Sequence, residues 1–320
     1  MEQKWVVGVD LGGTTVKIAF LTMAGDLIDN WEIPTDNSEE GKNITKDIAK
    51  SIEEKLNKWN HSKENVAGVG MGAPGPFDYR TGIIFNTVNL GWPDNFPLKD
   101  RLEAELGLPV IIDNDANCAA LGEMWKGAGA GSKDLVCVTL GTGVGGGVIV
   151  NGNIVQGVKG AAGEIGHLTA VVENGAPCNC GKTGCLETIA SATGIVRVAK
   201  AFLTDAKEAS ELQATLNEQG SFTAKDVFDA ARNGDKIAAD VIAYIAQHLG
   251  LALANIANTL NPEKIVLGGG VSKAGDVLLK PVEAYFKAYS FKSVAQSTIL
   301  DVATLGNAAG VIGAAWLAKA

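Results

Sequence analysis

The stretch from Gly163 to Glu187, GEIGHLTAVVENGAPCNCGKTGCLE, gathers one histidine, three cysteines and three glutamates into a glycine-punctuated segment. Cys178, Cys180 and Cys185 stand in C-x-C-x4-C spacing, with His167 a short loop upstream. Three thiolates and one imidazole make a closed tetrahedral zinc set. The glycines between them permit the positive φ angles that fold a chain back around an ion. The alternative is a group of reduced, partly buried thiols, which cytosolic proteins often carry. Glu164 and Glu187 flank these ligands but are harder than the partners zinc takes beside thiolates, so they read as groups that the metal positions.

Three glycine turns and one acidic cluster carry the remaining chemistry. Asp10, Gly12, Gly13, Thr14 and Lys17 form D-x-G-G-T-x-x-K directly after a β-rich run. A turn without Cβ atoms lets phosphate oxygens reach backbone N–H groups, while Thr14 offers a hydroxyl and Asp10 can hold Mg²⁺ through water. Taken alone it can be only a hairpin. A second turn, Gly141 to Gly147 with Gly141, Thr142 and Gly143 at its head, changes that reading, because two such turns in two domains can grip a polyphosphate from both sides. Gly268, Gly269 and Gly270 open GGGVS at a strand-to-helix junction, which can meet an anion or let a flat nucleoside lie on the backbone. The alternative there is a tight βα turn.

Asp113, Asn114, Asp115 and Asn117 follow the strand-like PVIID, at a strand's carboxyl end where ligands gather in α/β sheets. Asp115 stands where a helix N-cap belongs, a role worth roughly 1 kcal/mol. It can instead be a general base that accepts a hydroxyl proton during phosphoryl transfer, with Asn114 holding the same substrate. Asp113 is then a supporting carboxylate or a turn residue. Both readings of Asp115 stay open on spacing alone.

The elements that must position these groups follow from periodicity. WVVGVD, VKIAFL and DLIDNWEI, within Lys4 to Ile33, read as an antiparallel meander. A helix is expected over Ser38 to Trp59, with Ile44, Ile48, Ile52 and Leu56 as its buried stripe. Then come a strand at Val66 to Met71, a helix at Leu98 to Leu106, a strand at Pro109 to Ile112 and a helix at Ala116 to Trp125. A second meander is expected from Asp134 to Leu140 and back along Val148 to Val150, its turn made by GTGVGGG. Thr188 to Leu260 is helix-rich, with a helix start at Thr223 and Asp226 and a loop centred on Gly220. Glu263 to Leu267 is a strand, and Asn307 to Ala318 a small-residue closing helix. The alternation of strands and helices gives an α/β class with two similar domains.

The 320 residues carry a net charge of −9, which excludes non-specific attraction to nucleic acid or an anionic membrane. Five cysteines, three of them clustered, do not make a disulfide framework, and the N-terminus lacks the pattern of a secretory leader, so a cytoplasmic location is expected. The apolar run Val241 to Ala257 is short and interrupted by Gln247, His248 and Asn255, which favours a buried core helix over a membrane span.

In this order the motifs D-x-G-G-T-x-x-K, G-A-P-G, D-N-D-A-N, G-T-G-x-G-G-G, G-E-I-G-H, C-x-C-G-x-x-G-C-x-E and L-G-G-G-V-S resemble those of the ROK family (repressor, open reading frame, kinase), over essentially the whole chain. Within it the chain is similar to the glucokinase branch of Gram-positive type. The resemblance implies a two-domain, actin-like (ribonuclease-H-like) α/β sugar kinase fold with the active site in the interdomain cleft. The domains expected are 1–120, joined by a helix at 307–320, and 121–306. It implies ATP, Mg²⁺ and a structural Zn²⁺ on His167, Cys178, Cys180 and Cys185. Asp115 is then the catalytic base, and Gly75, Asn89, Asn114, Glu164, His167 and Glu187 contact the hexose, His167 serving sugar and zinc by opposite ring edges. Asp10, Gly12, Gly13, Thr14, Lys17, Gly141, Thr142, Gly143 and Gly268 to Gly270 serve the nucleotide, the role of Lys17 being open. The implied reaction is phosphorylation of a hexose at C6, with glucose first and N-acetylmannosamine, fructose or allose as alternatives. The implied assembly is a homodimer. A sugar-responsive transcriptional regulator is the rival class, although DLGGTT begins at Asp10 and leaves no room before it for a DNA-binding domain.

Overall fold

The computed structural model describes residues 4–85 and 90–319, and the expected sugar contact Asn89 lies outside them. The chain divides into two compact units, 1–133 with 147–163 and 305–320, and 134–146 with 164–304. The boundary expected near residue 120 falls inside a helix, and the first unit runs on to Lys133.

In the first unit β1 (Trp5–Leu11), β2 (Thr15–Thr22) and β3 (Leu27–Pro34) form the expected antiparallel meander. β4 (Val66–Ala73) joins β1 in parallel, and beyond a small sheet of β5 (Phe77–Asp78), β6 (Ile83–Ile84) and β7 (Phe96–Pro97), β8 (Val110–Asn114) joins β4 in parallel. The sheet order is β3-β2-β1-β4-β8. Alternation along β1 sorts its side chains between two layers. Val7 and Val9 face the core that holds Ile44, Ile48, Ile52 and Leu56 of α1 (Ile44–Lys58) and Leu98, Leu102 and Leu106 of α2 (Leu98–Leu106). Each such isoleucine or leucine contributes about 1.5–3 kcal/mol by leaving water. The α1 helix starts six residues later than expected, because Glu39 and Glu40 take left-handed backbone angles and break the turn Ser38–Gly41 from it.

The opposite face carries α3 (Asp115–Lys126) and α11 (Ala309–Leu317). The small residues of α11 are explained by backbone-to-backbone approach. A Cβ on Gly70 of β4 would lie 1.7 Å from the Ala314 carbonyl oxygen, and one on Gly313 would lie 1.6 Å from that of Cys118. Such distances exclude any side chain, so glycine sets the spacing of three layers here.

The second sheet has the order β11-β10-β9-β12-β13, from β9 (Leu135–Leu140), β10 (Val144–Val150), β11 (Asn153–Ile154), β12 (Lys264–Gly268) and β13 (Ile299–Val302). β10 begins at Val144, so Gly145, Gly146 and Gly147, expected in a turn, are strand. Gly147 is there for packing, since a Cβ would lie 2.5 Å from that of Ala120 on α3. The helices of the second unit are α4 (Glu187–Ala190), α5 (Ala192–Asp205), α6 (Glu211–Gln219), α7 (Ala224–Arg232), α8 (Lys236–Leu260), α9 (Asp276–Tyr289) and α10 (Lys292–Ser297). Thr223 and Asp226 form the capping box that starts α7, and Gly220 ends α6 in the left-handed region. α8, 25 residues, is longer than its apolar run because Asp235 caps one end and Asn261 the other. By length and composition it is able to cross a membrane, yet most of it is buried against α5, α7 and α9.

Candidate active site and metal centre

The register of the first sheet makes an acidic shelf. Asp10 pairs with Gly72, and Gly72 with Asp113, so both carboxylates stand level at the carboxyl ends of parallel strands. Beneath them the buried Cys118 thiol is pushed well above its usual range, first by burial and then by the charges of Asp113, Asp10 and Asp115. Burial also raises the Asp10 pKa, against the opposing pull of Lys17, whose Nζ lies 3.5 Å from Asp10 Oδ2. Lys17 also donates to the Asn307 carbonyl at 3.3 Å, so it ties the first hairpin to the segment before α11.

The three residues after β8 have distinct duties. Asn114, and not Asp115, is the helix N-cap: its Oδ1 accepts from Asn117 N–H at 2.6 Å. Both types cap well and stand side by side, so sequence alone could not choose. Asp115 is therefore the first helical residue and is exposed, its Oδ1 accepting from Ala116 N–H at 2.8 Å. Asp113 is buried and holds three donors: Asn114 N–H at 2.8 Å, Asn117 Nδ2 at 2.7 Å and Gln156 Nε2 at 2.9 Å. It is a support and not a turn residue.

The β1–β2 turn is fastened on its carbonyl side. Thr35 Oγ1 donates to Gly12 O, Asn37 Nδ2 to Gly13 O and Thr35 N–H to Thr14 O. Gly12 N–H closes the hairpin on Thr15 O at 3.0 Å. Gly75, exposed with φ of 100°, turns the chain after β4.

In the second unit, the ligand atoms of His167, Cys178, Cys180 and Cys185 all lie within 4.8 Å of one another. Cys180 and Cys185 Sγ are 3.6 Å apart, as are Cys178 Sγ and His167 Nδ1. A tetrahedron with Zn–S of about 2.3 Å and Zn–N of about 2.0 Å has S–S edges of about 3.8 Å and S–N edges of about 3.5 Å. The residues fit that ion. Gly181 and Gly184, with φ of 88° and 72°, make the knuckle, and Cys178 N–H bonds Lys182 O at 2.8 Å across it. Burial, with its thiol neighbours, pushes Cys185 up to about 12, a cost that a bound cation removes by taking the thiolate.

His167 turns its second edge outward, with Nε2 3.8 Å from Glu164 Oε2. Glu187 opens α4, and its Oε2 accepts from Val144 N–H at 2.9 Å while Oε1 lies 3.9 Å from Cys178 Sγ. It therefore bridges the cysteine and histidine cluster and the glycine turn after β9.

That turn borders a cavity of about 530 Å³ within the second unit, lined by Gly141, Thr142, Ala192, Gly270, Val271 and one face of α7. Three of the expected nucleotide glycines also stand in close packing. A Cβ on Gly143 would lie 2.4 Å from Glu187 Oε2, and one on Gly269, whose φ is 84°, 2.4 Å from Leu140 O. Gly268 meets Ala303 and Thr139. Sequence reasoning missed Thr223, Lys225, Phe228, Asp229, Arg232 and Lys273, which also line the cavity. The Thr223 capping box was the signal, read only as a helix start. GGGVS leads into a short 3-10 turn, Val271–Ala274, and the helix α9 starts only after Gly275.

The ROK family profile matches residues 6–320. This chain belongs to the ROK family. A glucokinase of Halalkalibacterium halodurans is 58% identical over 319 residues, covering 100% of this chain and 96% of that one. A ROK family glucokinase from Streptomyces griseus, solved with glucose and AMPPNP, is 34% identical with a TM-score of 0.75, covering 98% of each chain. A xylose repressor of Caldicellulosiruptor bescii is 29% identical, covering 96% of this chain and 76% of that one. The ROK architecture is thus the two-domain, actin-like α/β fold, its two units those described above.

Proposed function

We propose that this ROK chain transfers the γ-phosphoryl group of ATP to the C6 hydroxyl of glucose, a glucokinase reaction. The observation that carries this reading is the full-length 58% identity to the Halalkalibacterium halodurans glucokinase. The exposed Asp115, first residue of α3, is the base that takes the C6 proton. Asn114 spends Oδ1 on its cap, which leaves Nδ2 to hold the sugar. Gly75, Glu164, the outward edge of His167 and Glu187 are further hexose contacts, as is Asn89.

ATP is assigned to the 530 Å³ cavity, with Gly141, Thr142 and Gly270 against it, and Gly12, Gly13 and Thr14 are the further residues assigned to the nucleotide. Asp10 would hold Mg²⁺, which neutralises phosphate charge when bound. Zn²⁺ on His167 and the three cysteines would fix the wall that carries His167 and Glu187. The chain works as a cytoplasmic homodimer.

A coupled ADP-release assay over glucose, N-acetylmannosamine, fructose and allose tests the reading, with glucose expected to show the highest kcat/KM. Asp115→Asn should lower kcat by about 10²–10⁴-fold with the circular dichroism unchanged. A better hexose, or a variant with normal turnover, overturns the corresponding assignment. A gel shift with genomic fragments tests the regulator alternative, and no retarded band is expected.

A further inference from the structure

Asp113 is a buried carboxylate that accepts from three neutral donors, and no cation pairs with it among the described residues. Burying a charge without a counter-ion is costly, and hydrogen bonds are what make it tolerable. Two of the three donors, the N-cap Asn114 and Asn117 in the first turn of α3, lie on either side of Asp115. The third, Gln156 Nε2, comes from the far end of the β10–β11 hairpin, 43 residues along the chain.

Gln156 is itself held. Its carbonyl accepts from Ala162 N–H at 3.1 Å, which closes the loop 156–162, and Val155 N–H bonds Val148 O at 2.8 Å. Farther along, Gly160, with φ of 70°, passes so close to Phe77 that a Cβ would lie 3.0 Å from its carbonyl oxygen. Phe77 follows Gly75 by two residues. One loop therefore touches both the carboxylate beneath Asp115 and the turn that carries Gly75. The amide of Asn117 is committed in the same direction, giving Nδ2 to Asp113 although its buried Oδ1 has no partner among the described residues.

We propose that Gln156 and Asp113 form a positioning pair for phosphoryl transfer: the Gln156 amide holds the Asp113 carboxylate, which fixes the turn that aims Asp115 and Asn114. This rests on the kinase reading with Asp115 as base. In this arrangement both act as positioning residues, so their substitution acts through Asp115. A base displaced by about 1 Å can lose on the order of 10²-fold in rate, because transfer needs near-attack geometry.

The test is a set of steady-state assays on the full chain with glucose and ATP, each paired with a melting temperature. Gln156→Met keeps length but removes the donor, and should lower kcat about tenfold while KM for ATP stays within about twofold. Gln156→Glu at pH 8 sets two carboxylates against each other and should lower kcat by about 10²-fold. In D113N/Q156E the amide and the carboxylate exchange sides, so one donor again meets one acceptor, and kcat should recover at least about tenfold over Gln156→Glu. Unchanged kcat in both single variants overturns the proposal. So does a pair no better than Gln156→Glu, or a loss that appears only in melting temperature while each folded molecule turns over normally. A wild type that releases no ADP on any hexose overturns the kinase reading instead, and the role of Asp115 with it.

Discussion

Replacing Gly143 by alanine asks whether this glycine serves the nucleotide or the carboxylate beside it. An added Cβ would stand 2.4 Å from Glu187 Oε2, so the carboxylate must retreat by about 1 Å to reach ordinary contact near 3.4 Å. The obstacle is the end of a flexible side chain and not backbone, so the fold should absorb it. What suffers is the bond from Val144 N–H to Oε2 at 2.9 Å. A hydrogen bond to a charged group contributes about 1.5–3 kcal/mol, and a partial loss of about 1–2 kcal/mol corresponds to roughly 5–30-fold in binding. Glu187 is assigned to the hexose, so Gly143→Ala should raise KM for glucose by that factor, leave KM for ATP within about twofold, and shift the melting temperature by only a few degrees. Steady-state kinetics with each substrate varied in turn separate the outcomes. A raised KM for ATP with an unchanged KM for glucose would refute the packing argument and return Gly143 to the nucleotide.

Other expectations follow from the same geometry. Cys180→Ser, at the exposed corner of the cluster, should reduce bound zinc from about one ion per chain to well below that by elemental analysis, and raise KM for glucose through the loosened wall. Gly313→Ala drives a Cβ into the Cys118 carbonyl, backbone against backbone, and should destabilise by about 3 kcal/mol or more in urea unfolding. Gly220→Ala, with open space around it but φ of 73°, should cost only about 1 kcal/mol. Asp10 gives a pH test. Burial raises its folded-state pKa above 3.8, so the folded protein holds that proton more tightly and stability falls as pH rises from about 4 through the folded pKa. Asp10→Asn should remove that slope, gaining in melting temperature relative to wild type more at pH 7 than at pH 4.

Legibility in the sequence followed the range of the interaction that fixes each element. The β1–β2–β3 meander, α2 and the Thr223 capping box depend on neighbours in sequence, and their residues stated them. GTGVGGG did not, because glycine says only that a side chain is absent; Gly147 is absent a side chain for Ala120, Gly143 for Glu187. The cap of α3 was expected at Asp115 and is made by Asn114, because both types cap well and neighbours in sequence do not say which one turns its oxygen to the Asn117 N–H. The His167 and cysteine cluster was legible because its four candidate ligands fall within one short segment. The α7 wall of the large cavity was not, since Phe228 and Arg232 lie far along the chain from Gly141 and share no motif with it. Gln156 was invisible for the same reason.

His167 faces Cys178 with Nδ1 and Glu164 with Nε2, and that orientation decides which tautomer the ring can hold. With a metal on Nδ1, the single ring proton resides on Nε2, and the outward edge is a donor with no lone pair to offer. Glu164 is an acceptor only, so the pair presents one donor beside one acceptor, a polarity matched by a hydroxyl that accepts from one and donates to the other. Without an ion the proton could sit on either nitrogen, and the outward edge would have no fixed sense. A metal bound there would thus set the direction of a hydrogen bond that it would not itself make.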